Sequence, residues 1–307
     1  MRVRIFAIGI DLKHRMNSTA KIAIIGPGKV GTAIGLLARR AGWPVVAVAG
    51  RNRRRTALAA SAIGGGVRAC TPAQAAAAAD LILLTVPDGR IGGVCDALAA
   101  RGALAKGAIV AHCCGALGSE VLASARRGGC PVASMHPLAT FPTVRLAIEL
   151  LAGTYCFIEG DRPAVAVLRR LARDIGCTPV AIAPSAKPLY HAAAVTACNY
   201  LAAMMDAAVA LARLAGIPRK VAWKSLEPLA RATLDNIARL GPEKALTGPI
   251  ARGDAATIAG HLEALNAVTA DLKGLYKTMG KWTVGLARRK GTLTSAKARK
   301  IRKLLEK

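Results

Sequence analysis

The sequence predicts an α/β fold: a doubly wound, mostly parallel sheet in the first 184 residues, followed by an all-helical second half. Three observations lead there. Short apolar runs recur, and each stops at a glycine, a proline or a polar residue, as strands buried on both faces do. Ala-rich segments of helical length separate these runs, and strands alternating with helices call for a parallel sheet. After Pro184 the strand-like runs cease and only helix-length segments remain.

The elements follow in order. Lys21 to Ile25 is an apolar run ending in glycine, and residues 29–41 have helical character closing at Gly42. Val45 to Ala49 is the second strand, and Leu81 to Val86, stopped by Pro87, the third clear one. Further strand candidates are 108–111, 131–135, 155–158 and 179–182, with helical stretches such as 164–174 between them. Ser185 is placed to cap a long helix to Gly216, with Pro188 tolerable in its first turn. Pro218 opens another helix, interrupted near Pro228, and 255–280 is helical again behind Asp254 as a candidate cap.

A chain of 307 residues has room for about two domains at the usual ~150 residues each. It is 53% hydrophobic but only 3% aromatic, so the core must be built from Ala, Val, Leu and Ile. No apolar run approaches the ~20 residues of a bilayer span, which gives the expectation of a soluble protein. The cysteines at 70, 95, 113, 114, 130, 156, 177 and 198 form no Cys-x-x-Cys pair. We therefore expect no metal, no disulfide framework and a reducing, cytoplasmic setting. Residues 1–19 form an N-terminal extension whose apolar stretch is too short for a secretory signal, and Met16 is an alternative start.

The net charge of +27 is partly local. Arginines cluster at 51 and 53–55, and the segment 285–307 reads as a basic tail. Such a tail can bind nucleic acid or anionic lipid by counterion release, or be a solvated, frayed terminus. The lack of interleaved aromatics for base stacking favours the frayed terminus.

Gly26-Pro27-Gly28-Lys29-Val30-Gly31 follows a strand and opens a helix. Gly26 permits the tight turn, Gly28 lets backbone approach a pyrophosphate, and Gly31 allows close helix–strand packing. The six residues are the candidate phosphate cradle of a Rossmann domain. Where an acid would bind a ribose 2′-hydroxyl, this chain has Gly50-Arg51-Asn52-Arg53, so a 2′-phosphate fits better and NADP is the expected cofactor. Arg51 is the first candidate, with Asn52 and Arg53 beside it. Val86 and Pro87, at the carboxyl end of a central strand, are expected to line the path to the nicotinamide.

Three histidines stand at chemically useful places. His112 and His136 follow strands on the ligand-binding side of the sheet. His191 stands four residues after Lys187 on the first long helix, about 40° round it, with Asn199 eight residues further on. Such a face could present donors and an acid to a substrate carbonyl or imine. Cys113-Cys114 has no paired base and reads as small apolar filler.

Together these stretches resemble Rossmann-like NADP oxidoreductases that carry a C-terminal helical domain of unknown function. These are related to pyrroline-5-carboxylate reductase and the 6-phosphogluconate dehydrogenase superfamily. The matching stretches are 25–31, 112–117, His136 to Phe141, Tyr190-His191 through Asn199-Tyr200, and Leu246 to Asp254. The resemblance implies a Rossmann domain at 20–184, a helical substrate and dimerisation domain at 185–284, and a homodimer in which each copy completes its partner's site. It also implies a catalytic group of Lys187, His191, His136 and Asn199, with Thr247 and Arg252 at the substrate. His136-Pro137 resembles the His-Pro step of prephenate dehydrogenases; Lys187 and His191 resemble the Lys-x-x-x-Asn pair of β-hydroxyacid dehydrogenases, with histidine replacing asparagine. Cys114 departs from the serine expected there. The function these readings imply is hydride transfer between the nicotinamide and a small carbonyl, imine or hydroxyl carbon. A non-catalytic NADP-binding sensor or scaffold is the alternative.

Overall fold

The computed structural model describes residues 20–306; the N-terminal extension and the Met16 start lie outside the described residues. The chain divides into two compact units, one ending at Cys198 and the other beginning at Asn199.

The first unit runs β1 (Ile22–Ile25), α1 (Lys29–Arg40), β2 (Val45–Ala49), α2 (Arg53–Ile63), β3 (Arg68–Cys70), α3 (Pro72–Ala77), β4 (Leu81–Leu84) and α4 (Ile91–Ala100). It continues β5 (Ile109–His112), α5 (Ala123–Arg127), β6 (Val132–Pro137), α6 (Val144–Leu151), β7 (Tyr155–Gly160), α7 (Arg162–Asp174) and β8 (Thr178–Ala181). The strands form one sheet in the order β3-β2-β1-β4-β5-β6-β7-β8. All pairs are parallel except β6 with β7. The order reverses between β1 and β4, and ligands of such sheets bind at the carboxyl ends of the strands beside that switch point.

Alternation along each strand explains why both faces are covered. Ile22 and Ile24 pack with Ala33, Ile34, Leu168 and Leu171 on one face. Ala23 and Ile25 pack with Ala75, Ile91, Cys95 and Leu98 on the other. β1 and β4 are buried along their whole length, which is why they read as continuous apolar runs. β3 escaped the sequence reading because three residues, Arg-Ala-Cys, carry no alternation worth the name. The antiparallel pairing of β7 was likewise not expected.

The helix α8 (Lys187–Leu214) begins after a 3₁₀ turn at Pro184–Ala186, so Ser185 belongs to that turn and not to a cap. The first three turns of α8 belong to the sheet unit, where Lys187 and Tyr190 anchor them. The unit boundary therefore falls fourteen residues beyond the expected 184.

The second unit holds the rest of α8, α9 (Arg219–Ala245), α10 (Pro249–Arg252), α11 (Ala255–Ala264), α12 (Ala270–Lys290) and α13 (Ser295–Glu306). Pro228 does not interrupt α9; the break comes at Gly241, with φ +77°, before Pro242. The expected 255–280 helix is two helices, separated where Val268 turns extended. Asp254 caps α11 by accepting from Thr257 N.

The basic tail is corrected outright. α12 continues to Lys290, and 295–306 form a folded amphipathic helix. Ala298, Ile301 and Leu305 are buried with Ile258, Val284 and Ala287 in one cluster. Leu305 also covers Gly280, where a Cβ would stand 2.9 Å from its Cδ2. The charge count of the segment hid a 3.6-residue apolar stripe. Ile301→Ala is expected to cost about 2–5 kcal/mol, as deletion of a fully buried aliphatic chain does; thermal unfolding of the full chain measures it, and an unchanged midpoint would refute the packing.

Candidate active site

Two constructions meet the carboxyl edge of the sheet. The first is the glycine loop. Gly26 has φ +108°, and a Cβ there would stand 2.6 Å from the Thr85 carbonyl carbon. Gly31 has no room for a Cβ either, which would run into Thr85 Oγ1 and Gly26 O. Thr85 Oγ1 donates to Gly26 O at 2.7 Å, tying the loop to the end of β4; sequence reasoning passed over Thr85 as strand. By contrast, nothing lies within 4 Å of a Cβ built at Gly28. No side chain caps α1, and no acid stands in its first turn. Open backbone over Gly28 and uncapped N–H groups at a helix start are what a phosphate needs. Lys29, Val30 and Pro27 frame that opening by position.

Arg51 is exposed after β2, and Arg53, Arg54 and Arg55 fill the first turn of α2. Cations there oppose the helix dipole by some 0.3–1 kcal/mol each unless an anion accompanies them. Asn52 is the N-cap of α2: its Oδ1 accepts from Arg55 N at 2.9 Å. Its expected cofactor role narrows accordingly, because the side-chain oxygen is committed to starting the helix. Val86 is half-buried and Pro87 exposed at the end of β4. The open backbone over Gly28 and the uncapped start of α1 thus fit the pyrophosphate of a dinucleotide.

The second construction is the loop 113–119 after β5. His112 is fully buried; its Nδ1 accepts from Cys114 N at 3.1 Å, so Nε2 carries the proton and donates to Gly118 O at 3.1 Å. Both ring nitrogens are used, and burial lowers its pKa. His112, expected at the cofactor, has both ring nitrogens engaged within the loop and acts there as a strut. Cys114 is also more than filler. Its Sγ accepts from Ala116 N and Leu117 N, both at 3.3 Å, the turn-closing task a serine oxygen would perform. Glu159, 4% exposed, takes Ser119 N and Oγ at 2.8 Å each and pins the far end to β7.

Lys187 is fully buried; its Nζ donates to Cys114 O at 2.9 Å and Ser134 Oγ at 2.6 Å. Burial pushes its pKa down, opposed by the charge of Glu159. Lys187, expected as a catalytic group, fastens the loop and α8 to β6 through these two bonds.

The loop's tip, Gly115, faces two imidazoles. A Cβ there would stand 2.7 Å from His136 Cε1 and 2.7 Å from His191 Cδ2. The rings of His136 and His191 lie 6.1 Å apart, centre to centre. His136 Nδ1 is hydrogen-bonded to Tyr190 Oη at 2.8 Å, and Tyr190 rests on Phe157, ring centres 4.4 Å apart. Burial, then the charges of Lys187 and His191, bring the His136 pKa down to about 4. Burial raises that of Tyr190. The structure thus brings together His136, His191 and Lys187 and adds Tyr190, Ser134, Glu159 and Gly115. Of the added residues, the sequence pointed only to Gly115, within the stretch 112–117, and to Tyr190, beside His191. Asn199, Thr247 and Arg252 belong to the second unit; Thr247 lines a mostly apolar groove of about 360 Å³ with Met204, Leu211, Tyr276 and Met279.

The depressed histidines set the acid limb of stability. Between pH 6.5 and about 4 the unfolded chain binds protons that His136 in the folded chain refuses. Stability should therefore be full above pH 6.5 and fall as the pH drops towards 4, by at most about 3 kcal/mol from His136. His112 acts in the same direction. Denaturant midpoints measured across this range check the sign; a rise on acidification would contradict it.

By strand order and loop the first unit is a Rossmann-like fold, joined to a helical C-terminal region. The family model of a Rossmann-like domain matches residues 11–137, and that of DUF2520, a domain of unknown function, matches 154–283. The chain combines these two domains. No curated protein gave a match. Among solved structures, protein TM1727 from Thermotoga maritima superposes with a TM-score of 0.70 at 24% identity, covering 87% of this chain and 98% of that one. BF3122 from Bacteroides fragilis, described provisionally as an NADP oxidoreductase, gives 0.66 at 21%, covering 92% and 98%. A pyrroline-5-carboxylate reductase from Coxiella burnetii gives 0.55 at 15%, covering 93% and 98%. At these identities the likeness shows the fold.

Proposed function

We propose that the protein is a cytoplasmic NADP(H)-dependent oxidoreductase acting on a small carbonyl, imine or hydroxyl substrate. The observation that carries this reading is His136, backed by Tyr190 and flanked by His191 and Gly115 at the same sheet edge as the open glycine loop. When bound, a nicotinamide supplies or accepts the hydride. The chain's residues do the rest. Gly26 to Gly31 hold the pyrophosphate, and Arg51 and Arg53 hold the 2′-phosphate. Tyr190 pairs with His136 Nδ1; with the phenol as donor in that pair, the imidazole carries its hydrogen on Nε2. A neutral imidazole of that tautomer can polarise a substrate oxygen or nitrogen where negative charge develops. His191 orients the substrate on the other side of Gly115. Asn199, Thr247 and Arg252 are proposed as further substrate contacts, with Arg252, exposed on the last turn of α10, suited to an anionic group.

The reading includes a homodimer. The stretch Pro184–Leu214 is long and apolar enough to cross a membrane by length and composition, yet only 6% of its most apolar window is buried. This corrects the expectation that no apolar stretch approaches span length: Lys187, His191, Asn199 and Asp206 break up its apolar residues without lowering its mean hydropathy enough to exclude a span. Tyr200, Leu214, Trp223, Leu229 and Leu234 on α8 and α9 are exposed as well. Apolar surface of this extent marks an interface, and Asp206 and Arg213 on α8 suit a second copy better than lipid. Light scattering should return twice the chain mass. Eight free cysteines fit a reducing setting.

The test is NADPH oxidation against small ketones, aldehydes and cyclic imines. His136→Phe should lower kcat about 100-fold or more with NADPH affinity unchanged. Equal activity in the variant would remove His136 from the mechanism. Gly115→Ala, which drives a methyl between the two imidazoles, should lower kcat as well while the chain stays folded.

A further inference from the structure

The folded helix α13 lies beyond the residues matched by the DUF2520 model, which end at 283. Between Asp271 and Glu306 the sequence has eleven Lys and Arg residues and no acid. Several are engaged within the unit: Arg288 with Leu293 O, Arg289 with Glu243, Lys290 with Lys244 O and Leu246 O, and Lys273 with Asn266. The five on α13 are not. Lys297, Arg299, Lys300, Arg302 and Lys303 are exposed, and their side chains make no ion pair with the described residues. At ~100° per residue, Arg299, Lys300 and Lys303 point away from the buried stripe of Ala298, Ile301 and Leu305, and Lys297 and Arg302 flank it.

We propose that this face of α13 binds the phosphate backbone of duplex nucleic acid. A rigid helix of twelve residues, about 18 Å long, holds Arg299, Lys300 and Lys303 on its outward face with Lys297 and Arg302 at the two margins, and a duplex presents one charge per ~1.7 Å of axis. Two other polyanionic surfaces fit less well. An interfacial membrane helix needs a free apolar face to enter the bilayer, and here that face is spent in the core of the unit. Single-stranded binding relies on aromatic stacking, and α13 has no aromatic residue. The contact is therefore electrostatic and indifferent to base sequence, and it does not depend on the proposed oxidoreductase activity.

The experiment measures binding of the full chain to a fluorescent duplex of random sequence by anisotropy. With three to five phosphate contacts, affinity should fall on the order of 40- to 500-fold between 50 and 200 mM salt. The triple variant Arg299→Glu, Lys300→Glu, Lys303→Glu should weaken binding at least 30-fold and flatten the salt slope by about three. A variant with the same charge change on exposed residues of the first unit, Lys106→Glu, Arg127→Glu and Arg162→Glu, should stay within threefold of the parent. If the α13 triple lowers the unfolding midpoint, the glutamine version at the same positions replaces it, with the same expected direction. Equal loss in both triples would mean net charge alone, and would overturn the proposal. So would absence of duplex binding at 50 mM salt, or binding to anionic phospholipid vesicles in its place.

Discussion

Arg51→Asp is expected to weaken NADPH binding 100-fold or more while leaving NADH binding within a few-fold. The guanidinium follows β2 at the place where this fold meets the ribose of a bound dinucleotide. A charge-assisted hydrogen bond to a phosphate contributes about 1.5–3 kcal/mol, or roughly 10- to 150-fold. The carboxylate adds repulsion against a doubly charged group, which takes the loss to the upper end. NADH lacks that phosphate and gains a partner for its 2′-hydroxyl instead. Arg53→Ala should act in the same sense and more weakly. Titration calorimetry of both dinucleotides against both variants decides; equal loss for NADH would mean that the substitution damaged the fold of the loop rather than its selectivity.

Lys187→Met is expected to leave the protein folded and yet to lower turnover about 100-fold, the scale of a small misplacement at a reacting centre. Methionine has nearly the lysine's shape. Removing a buried ammonium relieves its desolvation cost, which offsets the hydrogen bonds lost by Cys114 O and Ser134 Oγ. Stability should therefore stay within about 2 kcal/mol of the parent. The diagnostic readout is His136. Removing the neighbouring positive charge should raise its titration midpoint from about 4, but not back to 6.5, because burial is the larger cause and remains. Imidazole nitrogen shifts in a histidine-labelled sample report this without any substrate. A turnover loss with the His136 midpoint unmoved would instead make Lys187 a direct participant.

What could be read from the residues divides along physical lines. The βαβ half was legible because β1, β2 and β4 are buried on both faces, which leaves an unbroken apolar signature. The glycine loop was legible because Gly26 and Gly31 are places where no side chain fits. β3 was not, being three residues at a sheet edge, and α13 was masked because eight of the thirteen residues from Ser295 to Lys307 are not apolar. The site was half legible. Spacing put Lys187 and His191 on one helical face, but only packing could show that one turn of α8 sends Lys187 into the interior and leaves His191 at Gly115. Likewise, no pattern distinguishes His112 from His136. Both end strands, and the difference lies in whether neighbouring backbone consumes both nitrogens, as at His112, or leaves Nε2 open, as at His136.

In the proposed function, the loop from Gly26 to Gly31 and the arginines behind β2 hold a 2′-phosphorylated dinucleotide. Calorimetric titration of the full chain with NADPH and NADH tests it most directly. The expected result is one site per chain, with NADPH bound at least tenfold more tightly. No heat and no thermal stabilisation with either dinucleotide at millimolar concentration would contradict it, and a preference for NADH would contradict the role given to Arg51.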